Sequence, residues 1–219
     1  MSEWWTYSLS DFLLFSPRTY YRLFDLYNAA LWPAHVLALA IGFAILTLMM
    51  RGGAVRWSRV AGILLAACWL WVAWAFLFNR YATINWAATW FAGLFAVQAV
   101  LLVLAGATGG GIESASRLHR AGAVALFVFA LLIQPLIGPL TGRPWTQAEV
   151  FGMAPDPTAL GTLGFALLQP TAGRRWLLLA LPLLWCAISG ATLWTMGAPD
   201  ALVLPAAGLL ALVLAASRR

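Results

Sequence analysis

The chain has 219 residues and a formal net charge of +6; 63% of its residues are hydrophobic and 9% are charged. Soluble domains carry roughly a quarter charged residues, so this chain has too few to cover a water-exposed surface, and the same numbers exclude intrinsic disorder. An integral membrane protein of all-α class remains.

Taken in chain order, the first 30 residues form an interfacial segment and residues 31–219 a transmembrane domain. The opening MSEWWTYSLSD is acidic and aromatic where a secretory signal is basic, so no signal peptide is read there. Ser10-Asp11 and Ser16-Pro17 are helix starts. After the second, Arg18, Arg22 and Asp25 recur at spacings of four and three, which places them on one face of a short amphipathic helix.

Runs of about 20 apolar residues predict membrane-spanning helices. They lie near 31–50, 60–78, 86–107, 121–137, 175–197 and 201–217. A weaker run near 157–169 follows Asp156-Pro157, which reads as an N-cap with proline at the first helical position. At 1.5 Å per residue it reaches only about 20 Å, short of a ~30 Å hydrocarbon core.

Charge decides whether that run crosses. With seven spans and the N-terminus outside, Arg51, Arg56, Arg59, Arg117, Arg120, Arg174, Arg175, Arg218 and Arg219 are cytoplasmic, and Arg18, Arg22, Arg80 and Arg143 are external. Nine against four follows the positive-inside bias. Without the crossing the bias reverses. The expectation is therefore a seven-helix bundle, N-out and C-in.

Composition also limits the chemistry. All 13 basic residues are arginine, which excludes lysine Schiff bases and with them retinal and PLP. Arginines at span ends do not make a nucleic-acid stripe. Cys68 and Cys186 lie inside apolar runs and belong to no metal-spaced cluster. His119 falls in a cytoplasmic loop, far from His35, so no metal or haem pair forms. The TGGGIES run joins two spans and follows no strand, so it is a loop. No enzyme motif, cofactor or metal site is read, and an enzyme is the least favoured class.

The ionisable residues collect on the outer side. The candidate ligand-binding residues there are Arg22, Asp25, His35, Arg80, Tyr81, Asn85, Trp86, Arg143, Glu149 and Asp156. Apolar walls with a few placed polar groups make ligand pockets, and His35, about one turn inside the first span, is the expected floor. The same charges also suit a plain role in docking loops onto the bundle. Thr146 and Glu149 stand at capping-box spacing, which predicts a short helix from Thr146. Arg80, at a span edge, is expected to pair with Asp25, Glu149 or Asp156, because an unpaired charge beside hydrocarbon is costly. Trp185, Ser189, Thr192 and Met196 form one stripe of the sixth span and read as helix packing.

Four phrases, MSEWWTYSLSDFLLFSPRTYYRLFDLYN, NRYATINWA, GRPWTQAEVFGMAPDPTALGTLG and SGATLWTMGAPDA, resemble an uncharacterised family of bacterial multi-pass membrane proteins, a domain of unknown function. The resemblance implies the bacterial cytoplasmic membrane and carries no catalytic residues. The partners expected are the lipid bilayer, a small solute at the outer face, or another membrane protein, and no nucleic acid. Two functions stay open: a small-solute transporter or channel-like protein, and an accessory or scaffold subunit of a larger membrane complex.

Overall fold

The computed structural model describes residues 15–53, 55–107 and 117–217, and all regular structure within them is helical. Ser10-Asp11, the glycine-rich loop with Glu113, and Arg218-Arg219 lie outside the described residues.

Helix α1 (Pro17–Leu31) starts where the sequence predicts: Ser16 is its N-cap and accepts from the Thr19 amide at 3.2 Å. Tyr20, Phe24 and Tyr27, at spacings of four and three, form its buried face. The helices that follow are α2 (Ala34–Arg51), α3 (Val55–Trp71), α4 (Ala88–Ala107), α5 (Arg117–Val128), α6 (Gln134–Leu140), α7 (Pro155–Leu167), α8 (Ala172–Thr195) and α9 (Val203–Ala216). Two wide π turns interrupt this pattern. One, Val72–Phe78, extends α3; the other, Phe129–Ile133, joins α5 to α6. The second has a clear cause: Pro135 brings no N–H and its ring crowds the carbonyl of Leu131, so the backbone widens ahead of it.

Among the described residues, five helical stretches are long and apolar enough to cross a membrane: Ala34–Arg51, Val55–Thr83, Ala88–Ala107, Arg117–Leu140 and Ala172–Thr195. Helices α7 and α9, of 13 and 14 residues, are shorter.

Contacts between segments at the helix ends fall into two groups and define two ends of the bundle. At one end α1 meets the 141–154 loop through Asn28 and Thr146, and that loop meets the α8–α9 turn through Arg143 and Asp200. At the other end Arg59 donates to the Gly106 carbonyl, Arg120 to the Met50 carbonyl, and His119 meets the Leu214 carbonyl. The chain therefore runs back and forth between an α1 end and an opposite end. His119 belongs to α5 and is buried, not in a loop as the sequence suggests: α5 begins at Arg117, and the imidazole docks against the end of α9.

Every residue of α7 is buried. It packs among α3, α5, α8 and α9. A helix that is apolar all round belongs in an interior, and here the interior is protein. Close approach depends on small residues: a side chain at Gly164 would run into the Ala123 carbonyl oxygen of α5. Thr158 and Thr162 turn their hydroxyls back onto the carbonyls four residues earlier, at 2.7 and 2.8 Å. Thr162 also accepts from the buried Trp69 indole at 2.7 Å, which ties α7 to α3.

Candidate functional site

Polar side chains at the α1 end separate into a closed cluster and an open groove. The 141–154 loop contributes to both.

The closed cluster starts at Arg143. Its Nη2 donates to Asp200 Oδ2 at 2.6 Å, and its Nη1 stands 3.5 Å from Glu149 Oε1. The guanidinium lies 4.4 Å from the ring centroid of Tyr21 on α1, within cation–π range. Burial pushes the Tyr21 hydroxyl up to about 12, against the opposing pull of Arg143. Asp156 sits just behind, fully enclosed. It accepts from the Trp185 indole at 2.7 Å and from the Ser189 hydroxyl at 2.8 Å, both on α8.

Glu149, Asp156 and Asp200 are all buried, and among the described residues the one guanidinium paired within this group, Arg143, reaches only Glu149 and Asp200. One cation cannot balance three carboxylates in a medium of low dielectric. Glu149 takes up the imbalance. Its carboxyl is pushed up to about 8, first by burial and then by the Asp156 charge, and Arg143 offsets this only in part. The 3.5 Å contact agrees with that reading, since the guanidinium makes its short bond to Asp200. Glu149 Oε2, Asp200 Oδ1 and Arg143 Nε and Nη1 have no hydrogen-bond partner and are shielded from solvent.

The open groove has a volume of about 410 Å³ and is lined by Asn28 and Ala29 of α1, Trp32, His35 and Leu39, and Trp145, Thr146, Ala148 and Val150 of the loop. Trp32 and Trp145 are 69% and 65% exposed, so both indoles stand as walls and not as core. One side chain latches the three segments around it. The Asn28 amide donates to the carbonyls of Thr146 and Ala148, at 2.7 and 3.0 Å. Its oxygen therefore faces His35 Nε2 at 3.0 Å, which must be the donor. His35 braces the groove through Asn28.

The ten residues singled out from sequence are distributed as follows. Arg143, Glu149 and Asp156 meet in the cluster, and His35 lines the groove. Asp25 accepts from Thr146 and Gln147 and holds the loop against α1. Tyr81 is buried in an aromatic cluster, meeting Phe15 and Tyr20 edge to face and Phe76 at a tilt. Asn85 accepts from the Ala87 amide ahead of α4. Arg22 and Trp86 are exposed and line neither feature.

Three expectations are corrected. Among the described residues the ion pairs belong to Arg143, not Arg80: Asp25 and Asp156 are held by neutral donors, and the half-buried Arg80 pairs with no described carboxylate. Thr146 does not cap a helix with Glu149, because its hydroxyl goes to Asp25, and the loop makes only a short 3₁₀ turn, Trp145–Gln147. Asp156 is not the N-cap of α7; the helix begins at Pro155 with Ala154 as N-cap, which frees the Asp156 carboxylate for α8.

Several partners were absent from that set, among them Asp200, Trp185, Ser189 and Asn28. The spacing of four between Trp185 and Ser189 was visible as a stripe, but its target was not. Asn28 carried no signal beyond being polar near a span start.

No curated protein and no solved structure matches the chain. A family model described as a family of unknown function, DUF6064, matches residues 18–219, and the chain belongs to that family.

Proposed function

We propose that this is a multi-pass membrane protein that recognises a small amphipathic molecule at its outer face, in the groove between α1, α2 and the 141–154 loop. The observation that carries this reading is the groove itself: about 410 Å³, walled by two exposed tryptophans and by Ala29, Leu39 and Val150, and open on one side. Ligand sites fall in this size range and combine apolar walls with few polar groups. Tryptophan rings at a membrane interface suit a molecule with one apolar and one wet end.

Recognition is favoured over conduction. Gln98 and Gln134, the polar groups that a solute path through the bundle would use, are buried, and Gln98 donates to the Leu178 carbonyl of α8. In this reading the seven passes span a bacterial cytoplasmic membrane, N-out and C-in. The short α7 is shielded by its neighbours rather than by lipid, and the arginine-rich opposite end is cytoplasmic.

The test is purification of the full chain from native membranes, followed by mass spectrometry of extracted small molecules. Wild type should carry a molecule that Ala29→Trp, a substitution at an exposed groove position, loses. Identical extracts would overturn the reading. Orientation is checked with Trp145→Cys. The native Cys68 and Cys186 are buried, so an impermeant thiol reagent should label the new cysteine from outside, and labelling only after lysis would reverse the topology.

A further inference from the structure

The opposite end carries positive charge that no carboxylate of the described residues answers. Arg51 closes α2, and Arg56 lies in the first turn of α3. Their guanidinium carbons stand 5.8 and 4.4 Å from the centroid of one indole ring, that of Trp57. The two cations thus share one aromatic support although like charges repel. Arg120 of α5 reaches the same turn: it donates to the Met50 carbonyl, and its guanidinium lies 3.8 Å from where a side chain on Gly52 would begin.

Each carboxylate of the described residues lies at the α1 end with its own partner: Asp25 with Thr146, Glu149 and Asp200 with Arg143, and Asp156 with Trp185 and Ser189. Among the described residues no carboxylate stands at this end, so the exposed guanidiniums of Arg51, Arg56 and Arg120 are open to an anion from outside. The backbone at the turn is also open. Gly52 and Gly53 adopt φ of 63° and 78°, and nothing crowds the Gly53 side-chain position. These residues terminate helices that can cross a membrane, so the surface nearest to them is a headgroup layer.

We propose that the α2–α3 turn is a binding site for the phosphate of an anionic phospholipid, held by Arg51, Arg56 and Arg120, with Trp57 as the rigid support. Guanidinium forks match phosphate oxygens in pairs. Stacking on Trp57 restricts two of the three side chains before the lipid arrives. Arg120 spends one N–H on the end of α2 and keeps the others for the ligand. The site rests on the membrane-spanning part of the proposed function and is independent of the groove.

The experiment is native mass spectrometry of the full chain in detergent, with phosphatidylglycerol and phosphatidylcholine of the same acyl chains in competition. Wild type should retain phosphatidylglycerol preferentially, and raised salt should erase the preference. Arg51→Gln and Arg56→Gln should each weaken it about fivefold, whereas Arg18→Gln at the other end should not. Both arginines are exposed, and the salt titration on wild type reads the same interaction without any variant. Equal retention of the two lipids by wild type would overturn the site. So would a phosphatidylglycerol preference unchanged in the double variant. If inorganic phosphate alone raised the unfolding temperature through Arg51 and Arg56 while no lipid preference existed, the ligand would be a free anion and the lipid assignment would fall. Recovery of the chain in the soluble fraction would instead overturn the membrane reading, a separate failure.

Discussion

The closed cluster and the open groove hang on the same loop, yet they use polar atoms in opposite ways. In the cluster, Arg143 of the loop joins Glu149 to Asp200 of the α8–α9 turn and packs on Tyr21 of α1, while the buried Asp156 of α7 is held by Trp185 and Ser189 of α8. In the groove, the Asn28 amide and His35 Nε2 are consumed in bracing the walls, His35 Nδ1 is buried without a hydrogen-bond partner, and the surface left for a ligand is largely apolar. Ionisable residues that converge are not thereby a binding site. Here the charges hold the loop, and the loop shapes the groove. The comparison predicts that damage to the cluster appears as lost stability, and damage to the groove as lost recognition at unchanged stability.

The largest effect should come from Arg143→Met. It leaves Asp200 and Glu149 buried without their cation, and breaking a buried pair from one side costs about 3–5 kcal/mol. The unfolding midpoint in detergent is the measurement. A variant as stable as wild type would mean that the cluster is solvated and holds nothing.

Next is Ser189→Ala. Asp156 then keeps the Trp185 indole and loses its other short bond, which should cost about 1–3 kcal/mol for an acceptor left unsatisfied in the interior. This variant separates the two halves of the cluster. If Ser189→Ala and Arg143→Met together cost much less than their sum, Asp156 and Arg143 act as one network.

The reach of sequence reading can be judged on these same residues. Apolar runs near 20 residues match what a bilayer's thickness requires, so the stretches long and apolar enough to cross one, α2, α3, α4, α5–α6 and α8, were legible. The shortness of α7 was legible too. Its enclosure was not, because a helix apolar on every face has the same pattern in lipid as in protein. At the site, Arg143, Glu149 and Asp156 stood out by charge. Their arrangement depends on α8 and on the turn after it, and a carboxylate's choice between a guanidinium and an indole leaves no mark on spacing. Arg80 was drawn into the network on the same ground, proximity to a span edge, and lies outside it.

Glu149→Gln sharpens the comparison through pH. The Glu149 carboxyl sits at about 8 in the folded chain against an ordinary 4.5, so the folded state binds this proton more tightly than the unfolded chain does. The associated stability is complete below about 4.5 and is lost as pH rises through about 8. Glutamine mimics the protonated form and should flatten that part of the stability–pH curve, which makes the variant the more stable protein at alkaline pH. Parallel curves for the two proteins would show Glu149 to be ionised, and the cluster would then be an ion triad drawn together by Arg143.

The smallest effect on stability, and the most informative about function, belongs to Trp145→Ala. The indole is 65% exposed, and its ring is absent from the buried core. The latch beside it uses the backbone carbonyls of Thr146 and Ala148, which the substitution leaves in place. Surface changes of this kind move stability by no more than about 0.5 kcal/mol. The groove, however, loses one of its two aromatic walls. The expected outcome is an unchanged unfolding midpoint together with loss of the molecule that copurifies with wild type. Two results would break the contrast. If the midpoint fell as far as in Arg143→Met, the groove would be part of the structural core of the loop. If the midpoint and the bound molecule were both unchanged, Trp145 would be a membrane anchor, and recognition would have to be sought away from this loop.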